Sequence, residues 1–508
     1  EEITSRLSEV RALRVVSRRS TGDLSGQDAD FVLEGSVRWN AAEPEGARRV
    51  RVTPRLVRVA DGTQLWSRGY DRVIHDLFSV QSEIAKEIIR QLDIVLVEGE
   101  RQALDSRRTE SVPAYRAYLQ GMELAGRRNP TSSHWRQAVE RFERAVELDP
   151  GFALAWAELS KVHSLVVQLE IQGSSRAEAL RTVERALEID PDLPQGHRAL
   201  GYYHYWCHRD YDRALAAFRR AAEGLPNDSQ VLGGMAFVWR RLGRFEQART
   251  ALRRALDYDP DSAWLASELG DTLRRMRRYS EADPHYARAM ELEPGEPSAF
   301  QQRCLNALQW RGDIERCREL LQSMPQQNAT SSRLAWYRID MLTDQWQAGL
   351  SHLDGISANL LRTDDNRIPI EYLRARVYTS RGESSRAQPL FAAARRKLER
   401  RLEKEGEDPA LLHGLSQVLV GLGEDEAALR AARRAVALMP VEQDALRGAA
   451  LLVNLASVHA ALDQAPEAVE LLQRVLSLPG DLSPHSLAVE PRWRPIAEDP
   501  AFISLLPG

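Results

Sequence analysis

Lysine is scarce: only four of the 69 basic residues in this 508-residue chain are lysine, at positions 86, 161, 397 and 404, and the rest are arginine. That bias reads as genome composition. A strong charge of one sign is also missing. The formal net charge of −4 and a pI near 6.3 give no global argument for nucleic acid, whose binders usually carry a strongly basic domain or face. Three cysteines, Cys207, Cys304 and Cys317, are too few for a disulfide scaffold and lack the paired spacing of a zinc site. No apolar run approaches the roughly 20 residues that span a bilayer, and no signal sequence is visible. Catalytic signatures are thin as well. There is no Walker loop, no dinucleotide glycine fingerprint, no paired-histidine metal helix and no nucleophile elbow, so no cofactor is expected. His208-Arg209-Asp210 matches the tripeptide of a protein-kinase catalytic loop, but the downstream Lys and Asn are missing and the triplet falls at a turn. It is set aside.

What is present is a repeat. Between Pro226 and Pro294 one pattern is written twice at a spacing of 34 residues. The first copy reads Leu232, Met235, Ala236, Trp239, Gly243, Ala248, Leu252, Ala255 and Pro260; the second reads Ala266, Leu269, Gly270, Leu273, Ala282, Tyr286, Ala289 and Pro294. Apolar residues at helical spacing, a turn, and a second such run closed by proline encode two antiparallel helices. Proline cannot continue a helix, so each copy is punctuated. The small residues fall where helices must approach closely.

The period, the small positions and the terminal proline resemble the tetratricopeptide repeat. The resemblance implies a mainly α solenoid, because one such repeat cannot bury its own apolar face and neighbours must stack. Ten repeats are expected over residues 112–482. The first three end at Pro150, Pro191 and Pro226, the second with a lengthened turn around Leu169 to Ser175. Residues 298–325 and 333–356 are weaker copies, and Cys304 and Cys317 fall on facing helices of the first. There two buried small fillers are preferred to a bridge. The pattern returns through Tyr372 and Phe391, whose helix runs on through Arg401 to Lys404, and two further copies follow. Residues 483–508, with Pro491, Trp493, Pro495 and Phe502, break the period and read as a capping segment.

Residues 1–97 differ. Glu2 to Val10 reads as helix, Leu13 to Ser17 as a short β-rich run, Phe31 to Trp39 and Arg49 to Val59 as strands, Asp61-Gly62 as a turn, and Asp76 to Val97 as helix. Glu1 to Leu7, Asp30 to Val37, Asp61 to Asp71 and Asp76 to Ala85 resemble, in order, blocks of the TolB-like amino-terminal domain of bacterial signalling proteins. The family's first strand, which precedes the Glu1 helix, is absent, and Ser20 to Asp30 is too short for the helix expected there. An incomplete α/β domain with an exposed sheet edge is therefore expected, joined by a linker at 98–111. Because Glu1 lies inside a helix, the chain is expected to be a fragment.

The resemblance places the first helix of each repeat along a concave groove. By the repeat frame that face carries Arg198, Tyr202, Tyr205 and Trp206, then Phe237, Arg240 and Arg241, then Trp264, Arg274 and Arg275. Aromatics and arginine forks favour a protein or peptide partner with acidic and apolar residues. The competing reading is that the arginines complement helix C-termini and the tryptophans pack between repeats. The expected function is a non-enzymatic interaction scaffold in bacterial signalling. The alternative is the regulatory end of a larger serine/threonine kinase, nucleotide cyclase or winged-helix regulator, where the resemblance commonly finds this pairing. The compartment follows as cytoplasm, or periplasm behind an upstream membrane segment.

Overall fold

The computed structural model describes residues 29–39, 49–73, 77–96, 109–127, 131–356, 360–362 and 366–507, together with residues 3, 7, 10, 12, 13 and 15. Its contacts form two units: Glu1–Met235 with Arg254–Asp261, and Ala236–Arg253 with Ser262–Gly508.

The first unit opens with an antiparallel sheet whose middle strand is β2 (Arg49–Arg58). On one side lies β1 (Phe31–Trp39), with Phe31 opposite Arg58 and Trp39 opposite Val50. The other side is shared by β3 (Gln64–Ser67) and β4 (Tyr70–Val73). The β2–β3 turn is built as its residues require: Gly62 takes a φ of +68°, and Asp61 Oδ1 accepts the Thr63 N–H at 3.0 Å. Helix α1 (Leu77–Gln91) lays Val80, Ile84 and Ile88 against Leu56, Tyr70, Leu7 and Val10. Of the expected strand at Leu13 to Ser17, Leu13 and Val15 lie outside any strand and the other three lie outside the described residues. The expected short connection at Ser20 to Asp30 is outside them up to residue 28.

Ten helix pairs follow among the described residues. Those of the first unit are α2 (Val112–Ala125) and α3 (Ser132–Leu148), α4 (Ala153–Gln168) and α5 (Arg176–Ile189), and α6 (Pro194–Tyr203) and α7 (Tyr211–Gly224). The pair α8 (Ser229–Arg241) and α9 (Phe245–Tyr258) is divided between the units. The second unit holds α10 (Ala263–Arg275), α11 (Tyr279–Leu292), α12 (Pro297–Arg311), α13 (Ile314–Ser323), α14 (Thr330–Leu342) and α15 (Trp346–Asp354). It continues with α16 (Ile370–Ser380), α17 (Ser384–Glu405), α18 (Pro409–Leu422), α19 (Asp425–Leu438), α20 (Ala445–Ala461) and α21 (Ala465–Ser477).

The helices start where the sequence supplies caps. Ser111, Ser175, Asp210, Ser262 and Asp313 each accept a backbone N–H of the first turn. Small residues set the spacing within pairs: a Cβ on Gly270 would lie 2.8 Å from the Tyr286 ring, and Ala248 and Ala282 are fully buried. Cys304 and Cys317 face each other from α12 and α13 with Cα atoms 4.3 Å apart, and their sulfurs are joined. The preferred reading of two separate fillers is thereby replaced: the close approach that suits small residues also brings the thiols within bonding reach.

A two-stranded ribbon, β5 (Leu360–Arg362) with β6 (Arg367–Pro369), is inserted before α16. It packs on α18 because Gly414 has no side chain; a Cβ there would lie 2.1 Å from the Arg367 carbonyl oxygen. After α21 the chain crosses to α10 and α12 as an extended strap and forms α22 (Pro484–Val489), then a 3₁₀ turn (Pro491–Ile496) and α23 (Pro500–Ile503). Trp493 and Phe502 bury themselves against Leu472 and Val475.

Candidate functional site

In the first unit, Arg198 on α6 is buried and donates from Nη2 to Glu158 Oε1 at 2.5 Å and from Nη1 to Asp228 Oδ2 at 2.8 Å. Glu158 also holds Lys161 Nζ at 2.5 Å, and that ammonium reaches Gln230 Oε1 at 3.2 Å. Two cations and two carboxylates thus close a network across α4, α6 and the start of α8. Burial opposes the charge of Arg198, but the Asp228 and Glu158 carboxylates outweigh it and hold its pKa above the ordinary value. Burial pulls Lys161 below its ordinary value despite Glu158. The sequence reading found Arg198 and missed Glu158 and Lys161. Their signal was a charged pair three residues apart in an otherwise apolar helix.

Tyr202 donates to the Gln230 carbonyl at 2.8 Å and stacks on Trp206, with ring centroids 4.3 Å apart. Tyr205 leans on Tyr211, and both Tyr205 and Trp206 are half-buried. Both half-buried rings sit on a π-turn, His204–His208, that widens the end of α6 and closes with Arg209 at a φ of 54°. The kinase-like tripeptide is part of this turn: His208 Nε2 bonds the Tyr203 hydroxyl at 2.7 Å, and Asp210 caps α7.

In the second unit the arginines are held by carboxylates of the chain itself. Arg240 donates from Nη2 to Glu268 Oε2 at 2.6 Å, and its guanidinium lies over the Phe237 ring at 5.0 Å. Its Nε and Nη1 are buried without a hydrogen-bond partner. Phe237 meets Trp264 edge to face at 5.3 Å, and Trp264 is 42% exposed. Arg241 reaches Asp444 Oδ2, the N-cap of α20, at 3.4 Å.

Arg274 is 2% exposed and donates to Tyr286 at 3.2 Å, Gln309 at 2.8 Å and Asp481 at 2.8 Å. Arg275 lies 3.3 Å from both Asp271 and Asp481. The strap that carries Asp481 is docked through its main chain: Gly480 N–H donates to the Arg275 carbonyl at 2.9 Å, and Gln309 Nε2 to the Asp481 carbonyl at 2.8 Å. Arg275 and Arg274 hold the pKa of the Asp481 carboxylate far below the usual carboxylate range, and its side chain keeps 58% of its surface open. Among the described residues no group of three or more potential metal ligands gathers, and no helix is long and apolar enough to cross a membrane.

Family models described as tetratricopeptide repeat match residues 208–268, 167–229, 240–297 and 449–478. Those segments run from the end of α4 to the start of α12 and over α20 and α21. The repeats over these residues are tetratricopeptide repeats. A putative adenylate cyclase 3 of Rhizobium meliloti (strain 1021) is 30% identical over 223 residues, which cover 41% of this chain. The chain spans 37% of that relative's length. Among solved structures, a thermophilic tetratricopeptide protein of Thermus thermophilus is 20% identical with a TM-score of 0.33, covering 38% of this chain and 99% of its own. The pilF protein of Pseudomonas aeruginosa is 18% identical with a TM-score of 0.31, covering 39% and 90%. Tetratricopeptide repeat proteins are generally scaffolds for protein–protein interaction.

Proposed function

We propose that this chain is a non-catalytic scaffold in bacterial signalling that docks a partner segment with acidic and apolar residues on the first-helix faces of its repeats. The observation that carries it is the group formed by Arg240, Phe237 and Trp264. A buried guanidinium, whose Nε and Nη1 have no partner, lies over the Phe237 ring, and Phe237 in turn meets Trp264, which keeps 42% of its surface open. A shift of the Arg240 side chain would bring those donors to an incoming carboxylate, and an apolar neighbour would cover the indole. Tyr205 and Trp206, both half-buried, offer a second aromatic face in the other unit, over the buried Tyr202 and an Arg198 that is already neutralised.

Selection of displayed random peptides on the full chain tests the reading. Enrichment of segments pairing Asp or Glu with Leu, Phe or Trp supports it; enrichment of basic segments, or none, contradicts it.

The similarity to a putative adenylate cyclase favours a second reading, in which these repeats, behind a TolB-like domain, are the regulatory end of a larger signalling enzyme. An antibody to the repeats would then detect a native band well above 57.4 kDa, by about 30 kDa or more. A band at 57.4 kDa contradicts that reading and leaves the free-standing scaffold.

A further inference from the structure

The second unit holds a half-open cavity of about 320 Å³, bounded by α10, α12, α14, α18, α20, α21 and the strap. That volume lies at the small end of the range for small-molecule sites. Four arginines line it, Arg274, Arg275, Arg338 and Arg492, against two lining carboxylates, Asp481 and Glu490. The carboxylates are already engaged: Asp481 lies between Arg274 and Arg275, and Glu490 binds Arg492 Nε at 2.7 Å and Arg338 Nη2 at 3.3 Å. Arg376, half-buried nearby, adds to the field that keeps the Glu490 carboxyl ionised. Asp271 and Asp481 together balance Arg274 and Arg275, but Glu490 alone faces Arg338, Arg492 and Arg376, so positive charge is in excess there, in a space partly withdrawn from water where attraction is stronger than in bulk solvent.

The rest of the lining differs in chemistry. Leu446, Ala449, Ala450 and Val453 of α20 form an apolar wall, and Asn454 follows them on the same helix. Asn454 is 1% exposed and donates from Nδ2 to Ser416 Oγ at 2.9 Å, but its Oδ1 is buried without a partner. The lining thus combines excess arginine, a short apolar surface and one unused acceptor.

We propose that this cavity binds a small organic dianion, either a dicarboxylate or a phosphate ester, that carries a short apolar body and one hydrogen-bond donor. The anionic groups meet Arg338 and Arg492, the body lies on the Ala449 and Ala450 wall, and the donor turns to Asn454. The strap closes the site, so its own side chains form part of the ligand's surroundings. This site is separate from the Arg240 and Trp264 group and does not depend on peptide docking.

Calorimetric titration of the full chain at low ionic strength, with N-acetyl-L-glutamate in one arm and glycerol 3-phosphate in the other, tests it. Glycerol serves as the uncharged control. One-to-one binding of either dianion with a Kd below about 1 mM, and none of glycerol, is expected, and the arm that binds identifies the carboxylate or the phosphate source. Arg338→Gln should weaken it at least tenfold, and Ala450→Trp, which fills the cavity from α20, should abolish it. Thermal melts establish that each variant is folded. Absence of heat in both arms, or an affinity unchanged in folded Arg338→Gln and Ala450→Trp, overturns the proposal.

Discussion

Arginine 274 is the residue at which position in the repeat and role in the structure part company. Its place on a first helix suggested a ligand donor, but its guanidinium is consumed by Tyr286, Gln309 and Asp481. Asp481 lies 207 residues away, beyond any local pattern. Arg274→Ala should therefore cost about 1–3 kcal/mol in urea unfolding, since it leaves the buried Tyr286 hydroxyl and Gln309 amide oxygen without their donor, while the exposed Asp481 is taken up by water. The small positions, by contrast, were legible because a 34-residue period places them together. Ala248→Leu, at a position with no exposed surface, should cost about 1–3 kcal/mol by overpacking.

Asp340 adds a pH dependence. Burial raises its pKa from 3.8 to about 6, partly countered by Arg318. Its folded pKa lies above its unfolded one, so ionisation costs the folded state, and stability should fall as pH rises from about 4 to 6. Asp340→Asn should stabilise the chain by about 1–2 kcal/mol at pH 8 and leave it nearly unchanged at pH 4, as thermal melts at both values will tell.

At the scale of elements, the ten helix pairs were readable because proline, glycine and capping residues punctuate them at regular distance. The ribbon of β5 and β6 was not, since six residues carry no period and Gly414, the residue that admits them, sits in an ordinary helix. The strap was half legible. Its break in period was visible at residue 483, but its docking rests on carbonyl groups, which every sequence has.

Arg277 donates to three of them, Leu478 at 2.9 Å, Leu482 at 3.2 Å and Val475 at 3.4 Å. Arg277→Ala should loosen the strap without unfolding the repeats. Limited trypsin digestion should then cleave faster at the Arg492–Trp493 bond, and an unchanged cleavage rate would show the strap held by its other contacts.

For the whole chain, the tetratricopeptide repeats supply a fold suited to recognition. The arginine groove expected from the repeat frame is neutralised by the chain's own carboxylates at Arg198, Arg241, Arg274 and Arg275. Arg240 keeps two buried donors over the Phe237 ring that meets an exposed indole, and the account of partner docking therefore concentrates there. The most direct measurement is the affinity of a selected acidic and apolar peptide for the full chain and for the Arg240→Gln, Trp264→Ala double variant, by titration calorimetry. Docking at this group predicts at least a tenfold weaker Kd in a double variant that thermal melts show to be folded; equal affinities for the two proteins would contradict it.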